Sequence, residues 1–421
     1  MVVDGGSPTA DGGSLIADAG LGPLKLGGLG VWPPVLLSPM AGVTNAAYRA
    51  LCLEQTRAGA GADGAGTAGS GAAGSPGDAD TTVPGLYVCE MITSRGIVER
   101  IPKTFSMLTF ADAETRSVQL YGVEPGVLGE AARILACELG VRHIDLNFGC
   151  PVPKVTRRGG GGALPWKLDR FAGIVGATVR AVEPYGVPVT AKIRLGIDDD
   201  HLTYLDAGRI AQEQGAAGVI LHARTVQQAY GGQADWDAIG TLASHLDIPV
   251  IGNGDIWEAS DALAMMRQTG CAGVAVGRGC LGRPWLFRDL ADAFDGRETQ
   301  ALPSLGEVAA MVYRHAELLV GLRDEHHALA DLRKHMTWYF KGFPAGGELR
   351  SALAQVSTLD ELDGLLARLD PEAPFPRSEL GAPRGRQGNQ KSKVTLPYGW
   401  LDSRTLGGTD ISDAETDASG G

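Results

Sequence analysis

The sequence predicts a (β/α)8 barrel, and three observations carry that reading. Eight short apolar runs recur at 35–37, 86–88, 118–120, 144–146, 189–193, 219–221, 249–251 and 273–276. Most are separated by stretches with helical spacing, such as Leu128, Ala131, Ala132, Leu135, Ala136 and Leu139 closed by Gly140, so strands and helices alternate as in parallel βαβ units. The first run is followed by Ser38-Pro39-Met40-Ala41-Gly42, which lacks the Gly-rich fingerprint of a dinucleotide-binding open sheet. Eight strands in roughly 250 residues, with one insertion set aside, match the closed barrel better than an open doubly wound sheet.

In chain order, residues 1–30 are rich in Gly, Asp and Ala without periodicity and read as disordered. The barrel domain is assigned to 31–300. Within it, 57–80 are almost wholly Gly, Ala, Ser and Asp. Such a stretch buries too little apolar surface to offset its backbone entropy and reads as a flexible surface insertion. The Pro/Gly/Arg/Lys-rich and then acidic segment 371–421 reads as a disordered tail.

A barrel places its chemistry on the residues just after each strand. Those positions hold Ser38, Glu90, Gln119, Asn147 with Cys150, Lys192 with Arg194, His222 with Arg224, Asn253 with Asp255, and Gly277-Arg278. The last two strand ends, Gly252-Asn253-Gly254-Asp255 and Gly277-Arg278-Gly279, read as a phosphate site. Glycines admit backbone N–H groups to an anion and Arg278 adds a bidentate charge; the plainer alternative is two ordinary turns. Lys192 is either a fixed cation at the barrel mouth, able to stabilise a reduced flavin ring, or a solvated strand end. Gln119 and Asn147 can bond a heterocycle or tie loops together, and His222 is a phosphate or base contact or a structural residue. Cys150, between Gly149 and Pro151, has no Cys/His partners at metal-ligand spacing and no papain-like signature. Proton donor and packing residue both remain open for it.

Composition bounds the rest. In 421 residues the hydrophobic fraction is 44%, no apolar run approaches the roughly 20 residues that span a bilayer, and the N-terminal stretch lacks signal-peptide features. The six cysteines include no CxxC pair, which argues against a zinc site or a disulfide framework. A cytoplasmic, metal-free protein is expected. A net charge of −12 opposes nucleic-acid binding as a whole-molecule field, but it leaves room for a local basic face.

Read together, Ser38-Pro39-Met40-Ala41-Gly42-Val43-Thr44, Glu90-Met91, Gln119-Leu120-Tyr121-Gly122, Asn147-Phe148-Gly149-Cys150-Pro151, Lys192-Ile193-Arg194, His222-Ala223-Arg224-Thr225, Asn253-Gly254-Asp255 and Gly277-Arg278-Gly279 resemble a bacterial tRNA-dihydrouridine synthase, close to its B subfamily. The stretch from Arg333-Lys334 to Gly342 resembles that family's small C-terminal helical domain, placed here at 301–370. The resemblance implies a flavin enzyme that reduces the C5–C6 double bond of selected tRNA uridines, using FMN and NADPH or NADH; a monomer is the default expectation. By similarity Pro39, Met40 and Ala41 line the flavin ring, and Gln119 and Lys192 meet its polar edge. His222, Asn253, Gly254, Asp255, Gly277 and Arg278 lie along its ribityl phosphate. Asn147, Arg194, Arg224, Arg333 and Lys334 contact tRNA, and Cys150 is the catalytic acid. The 57–80 insertion and Gly159-Gly160-Gly161-Gly162 depart from the family pattern, and the glycine run is expected to loosen the Cys150 loop.

Overall fold

The computed structural model describes residues 22–59, 81–297, 300–388, 392–407 and 411. The first three strands are β1 (Leu24–Leu26), β2 (Leu29–Val31) and β3 (Val35–Leu37), followed by β4 (Thr81–Val83), β5 (Leu86–Tyr87) and β6 (Ile92–Thr93). Then come β7 (Ser117–Tyr121), β8 (His143–Phe148), β9 (Val189–Arg194), β10 (Gly218–His222), β11 (Val250–Asn253) and β12 (Gly273–Val276). Strands β3, β5 and β6 to β12 form one sheet of parallel neighbours in the order β5-β3-β12-β11-β10-β9-β8-β7-β6. The ring closes because β5 and β6 are two halves of one broken strand: β5 pairs with β3, a bridge joins Val88 to Ser117, and β6 pairs with β7. The predicted barrel is therefore present, with its second strand interrupted.

The break has a use. It turns Glu90 toward the mouth of the barrel, where its Oε2 accepts from the Gly42 N–H at 2.7 Å and ties the second strand end to the first.

Residues 22–30 correct the expectation of disorder up to residue 30. Strands β1 and β2 form an antiparallel hairpin that turns at Gly27, where φ is +56°. Its Leu24, Leu26, Leu29 and Val31 pack on Leu36, Ile220, Ile251 and Ala275, so the hairpin plugs the bottom of the barrel. Residues 1–21 and 60–80 lie outside the described residues, and so does the expected insertion apart from 57–59, which end the helix Ala46–Gly59.

A second core lies beyond the barrel in helices Leu305–Val320, Glu325–Tyr339, Gly347–Leu353 and Leu359–Leu366. Leu305, Val308, Val312, Leu329, Leu332, Met336 and Leu362 fill it, and Ala47 and Trp285 of the barrel dock against it. A Ser304/Glu307 capping box fixes the start of the first helix.

The tail beyond 371 is a second correction. Among the described residues it runs back over the barrel instead of leaving it. Arg384 donates to the carbonyls of Leu281 and Trp338, Ser392 N–H donates to the Gln227 carbonyl, and Trp400 is only 4% exposed. No described helix is long and apolar enough to cross a membrane.

Candidate active site

A cavity of about 440 Å³ opens at the C-terminal ends of the strands. Parallel register sets its walls. Gln119 stands beside Asp145, Asn147 beside Lys192, and Arg194, His222 and Asn253 share one level.

One wall is a relay of fixed amides. Asp145 is fully buried, and its carboxylate accepts from Thr190 Oγ1 at 2.7 Å and from Gln119 Nε2 at 2.7 Å. With its nitrogen so committed, Gln119 presents Oε1 to Asn147 Nδ2 at 2.9 Å. Asn147 in turn offers Oδ1 to the backbone N–H groups of Gly149 and Cys150, at 3.1 and 3.0 Å. The side chain of Asp145 thereby fixes which way two amides face and where the Cys150 backbone sits. Burial raises the Asp145 carboxyl to about 6, opposed by its hydrogen bonds and by Lys192. Burial lowers Lys192 to about 8, with Asp145 holding it up. The Lys192 ammonium donates to Asn253 Oδ1 at 3.0 Å, and Asn253 Nδ2 is anchored on the Ala275 carbonyl.

The opposite corner is cationic. Arg224 is 1% exposed and donates to the carbonyls of Gly231 and Gly232. Its Nη2 also reaches both Asp255 oxygens, at 2.7 and 2.8 Å. Its Nη1 is buried and has no partner, and it points at Gly254, where a Cβ would lie 3.6 Å from it. Gly254 has φ +131°, a conformation only glycine adopts readily. Arg278 lies 3.8 Å from Asp255 and is sandwiched between the rings of Tyr230 and Trp257, 5.3 and 5.2 Å from their centroids. Burial, together with Arg194, Lys192, Arg224 and Arg278, pushes His222 well below its ordinary range, so the imidazole is neutral. Side-chain-free backbone at Gly254 and Gly277 and the converging cations Lys192, Arg194 and Arg278 make a corner able to accept an anion.

Cys150 lines the same cavity. Burial pushes its thiol up, against the backbone of Val152 and the nearby Arg194, so it is a protonated thiol at neutral pH. The cation beside it is thus Arg194, whose guanidinium is itself held by the carbonyls of Gly149, Thr225 and Ala229.

The family model for dihydrouridine synthase matches residues 36–374, spanning the barrel and the helical domain. The chain belongs to the dihydrouridine synthase family. A protein named probable tRNA-dihydrouridine synthase from Mycobacterium tuberculosis is 54% identical over 382 residues, covering 90% of this chain and 92% of that protein. Its namesake from Mycobacterium leprae is 55% identical over 370 residues, 87% of this chain and 95% of that one. A tRNA-dihydrouridine synthase B from Xanthomonas campestris is 35% identical over 357 residues, 83% and 98% of the two chains.

In this dihydrouridine synthase the cavity gathers Pro39, Met40, Ala41, Gln119, Asn147, Cys150, Lys192, Arg194, His222, Asn253, Gly254, Asp255, Gly277 and Arg278. Three expected residues stand outside it. Arg224 lies behind the wall, paired with Asp255. Arg333 is tied to the Val356 carbonyl within the helical domain. Lys334 is exposed on the rim, near Gly42. Among the cavity residues that the sequence did not single out are Tyr230 and Trp257. Asp145 was passed over as well, although a carboxylate inside an apolar strand was its available signal.

The glycine run is also corrected. All four of Gly159 to Gly162 are buried. A Cβ on Gly159 would overlap the Trp400 ring, on Gly160 the Tyr121 hydroxyl, and on Gly162 a Val226 methyl. The run permits close packing and does not loosen the loop.

Proposed function

We propose that the chain is an FMN-dependent tRNA-dihydrouridine synthase reducing the C5–C6 double bond of specific uridines with NADPH or NADH. One observation carries it: Cys150, a protonated thiol, lines the same cavity as a corner of side-chain-free backbone at Gly254 and Gly277 and the converging cations Lys192, Arg194 and Arg278. That corner fits a flavin phosphate. His222, Asn253, Gly254, Asp255, Gly277 and Arg278 would surround the phosphate, with Arg224, reassigned here from substrate, holding Asp255 from behind the wall. Pro39, Met40 and Ala41 would line the ring, and Gln119 and Lys192 would meet its polar edge. Bound FMN, once reduced, supplies the hydride that goes to uracil C6.

The protein supplies the other half of the reduction. Hydride addition at C6 leaves negative charge delocalised on the C5–C4–O4 unit. Cys150 donates its proton to C5, and the resulting thiolate sits beside Arg194 until solvent reprotonates it. Asn147, which positions the Cys150 backbone, also faces the substrate side of the cavity. A uridine in folded tRNA must leave its stack to enter such a pocket, and the exposed Lys334, which pairs with Asp331, would meet the tRNA backbone, with Arg333 tying its helix to the Val356 carbonyl. The enzyme is read as a cytoplasmic monomer. The test incubates flavin-loaded protein and NADPH with tRNA lacking dihydrouridine and, separately, with free uracil and uridine. Dihydrouridine in the tRNA alone, found by nucleoside mass spectrometry, supports the reading. Reduction of the free pyrimidines alone would reassign the enzyme to small-molecule substrates.

Lys192 gives a pH prediction. A depressed ammonium is charged below about 8 and neutral above it, so flavin reduction by NADPH in the wild type slows as pH rises through about 8. Lys192→Met should be slower at pH 7 and lose that pH dependence, as read by stopped-flow absorbance.

A further inference from the structure

We infer that Trp400, in the C-terminal strap, is a positioning residue for Cys150. Trp400 stands 250 positions from Cys150 in sequence, yet one short loop joins them. The Trp400 indole N–H donates to the Ala163 carbonyl at 3.1 Å, and its ring covers Gly159 so closely that no side chain fits between them. On the other face of that loop the Gly162 N–H donates to the Cys150 carbonyl at 3.0 Å. A Cβ on Gly161 would lie 2.7 Å from the same carbonyl and 3.0 Å from the Cys150 Cβ. Residues 159–163 are therefore clamped, with Trp400 outside and the Cys150 backbone inside.

The clamp is anchored along its length. Lys167 places its ammonium 4.9 Å from the Trp400 ring centroid and donates to the Ser403 carbonyl at 2.7 Å. The Leu168 N–H donates to the Arg404 carbonyl, and the Arg404 guanidinium lies 4.3 Å from the Trp166 ring centroid while pairing with Asp206. The Leu406 N–H donates to Asp169. These contacts hold the Trp166–Asp169 end of the segment and Trp400 holds the Gly159–Ala163 end, so displacement of Trp400 frees the inner face of the loop against the Cys150 backbone. The consequence for catalysis rests on Cys150 being the proton donor; the effect on the geometry of Cys150 does not.

The test separates those two statements by reading the thiol directly. Native full-length protein and Trp400→Ala are alkylated with iodoacetamide, and each cysteine is followed by peptide mass spectrometry. Cys137 is exposed and serves as the internal rate standard, while Cys52, Cys89, Cys271 and Cys280 are buried and report global opening. Trp400→Ala should raise Cys150 labelling severalfold relative to Cys137 with the four buried cysteines still protected. Trp400→Phe, which keeps the ring and loses the N–H, should fall between the two proteins. An unchanged Cys150 to Cys137 ratio in Trp400→Ala would overturn the inference. Should Trp400→Ala expose the buried cysteines, Trp400→Phe decides, and a wild-type ratio there overturns it. In stopped-flow, Trp400→Ala should leave flavin reduction by NADPH near wild type and slow reoxidation by tRNA at least tenfold. Raised labelling with unslowed reoxidation would leave Trp400 as the clamp and remove Cys150 from proton transfer.

Discussion

Cys150→Ala should reduce tRNA turnover by about 10²–10⁴-fold, the range a positioned general acid contributes, while leaving flavin reduction by NADPH intact. The split follows from the site. Lys192, Gln119 and the cationic corner are built from other strand ends and do not depend on the thiol. Only the step that needs a proton at C5 is exposed to its loss. The pH dependence gives a second handle, and its sign follows from burial. Burial raises the thiol above its ordinary value, so the acid stays competent through neutral pH. Reoxidation by tRNA should be flat there and fall only above the ordinary thiol range of about 8.5. Stopped-flow measurement of the two half-reactions as a function of pH checks both statements. A Cys150→Ala enzyme that reoxidised at the wild-type rate would remove the thiol from the chemistry.

Arg224→Ala should lower both flavin affinity and folding stability. The wild-type guanidinium donates to two loop carbonyls and to both oxygens of Asp255. Asp255 itself sits at φ +55° and receives the Ala234 N–H at 2.7 Å. Removing the arginine takes the bidentate partner from Asp255, which is half-buried and keeps the Ala234 N–H and Arg278 at 3.8 Å, so the loss should fall below the roughly 3–5 kcal/mol of a fully buried pair. It also frees Asp255 and the Gly231–Gly232 turn behind the phosphate corner, which lowers flavin affinity. Arg224→Lys keeps the charge without the planar fork and should restore stability only in part. Urea denaturation of the flavin-free protein and equilibrium titration with FMN separate the two losses. Wild-type values in both would show that Arg224 is merely a buried spectator.

The eight barrel strands were legible because parallel strands buried on both faces read as short apolar runs. Their terminal residues were legible because a barrel exposes one end of every strand. Elements that depend on distant partners were not. The Leu24–Leu26 and Leu29–Val31 hairpin is three residues on each side, and only the barrel floor gives its leucines a surface to bury. Trp400 lies in a Pro/Gly-rich stretch with no periodicity, and it becomes a core residue because Gly159 and Ala163 leave a slot of its shape. The break in the second strand is likewise invisible locally, since it is Gly42, on another strand end, that makes Glu90 useful. Arg224 shows the same dependence on a distant partner. A strand-end arginine reads as a ligand contact, and the carboxylate that captures it arrives from the next strand.

The most direct test of the account is a single turnover. Protein loaded with FMN is reduced anaerobically with one equivalent of NADPH, freed of nucleotide, and mixed with tRNA lacking dihydrouridine. Flavin reoxidation is followed by absorbance and dihydrouridine is counted by nucleoside mass spectrometry. The account predicts one dihydrouridine formed for each flavin reoxidised. Reoxidation without dihydrouridine, or flavin that stays reduced in the presence of unmodified tRNA, would contradict it.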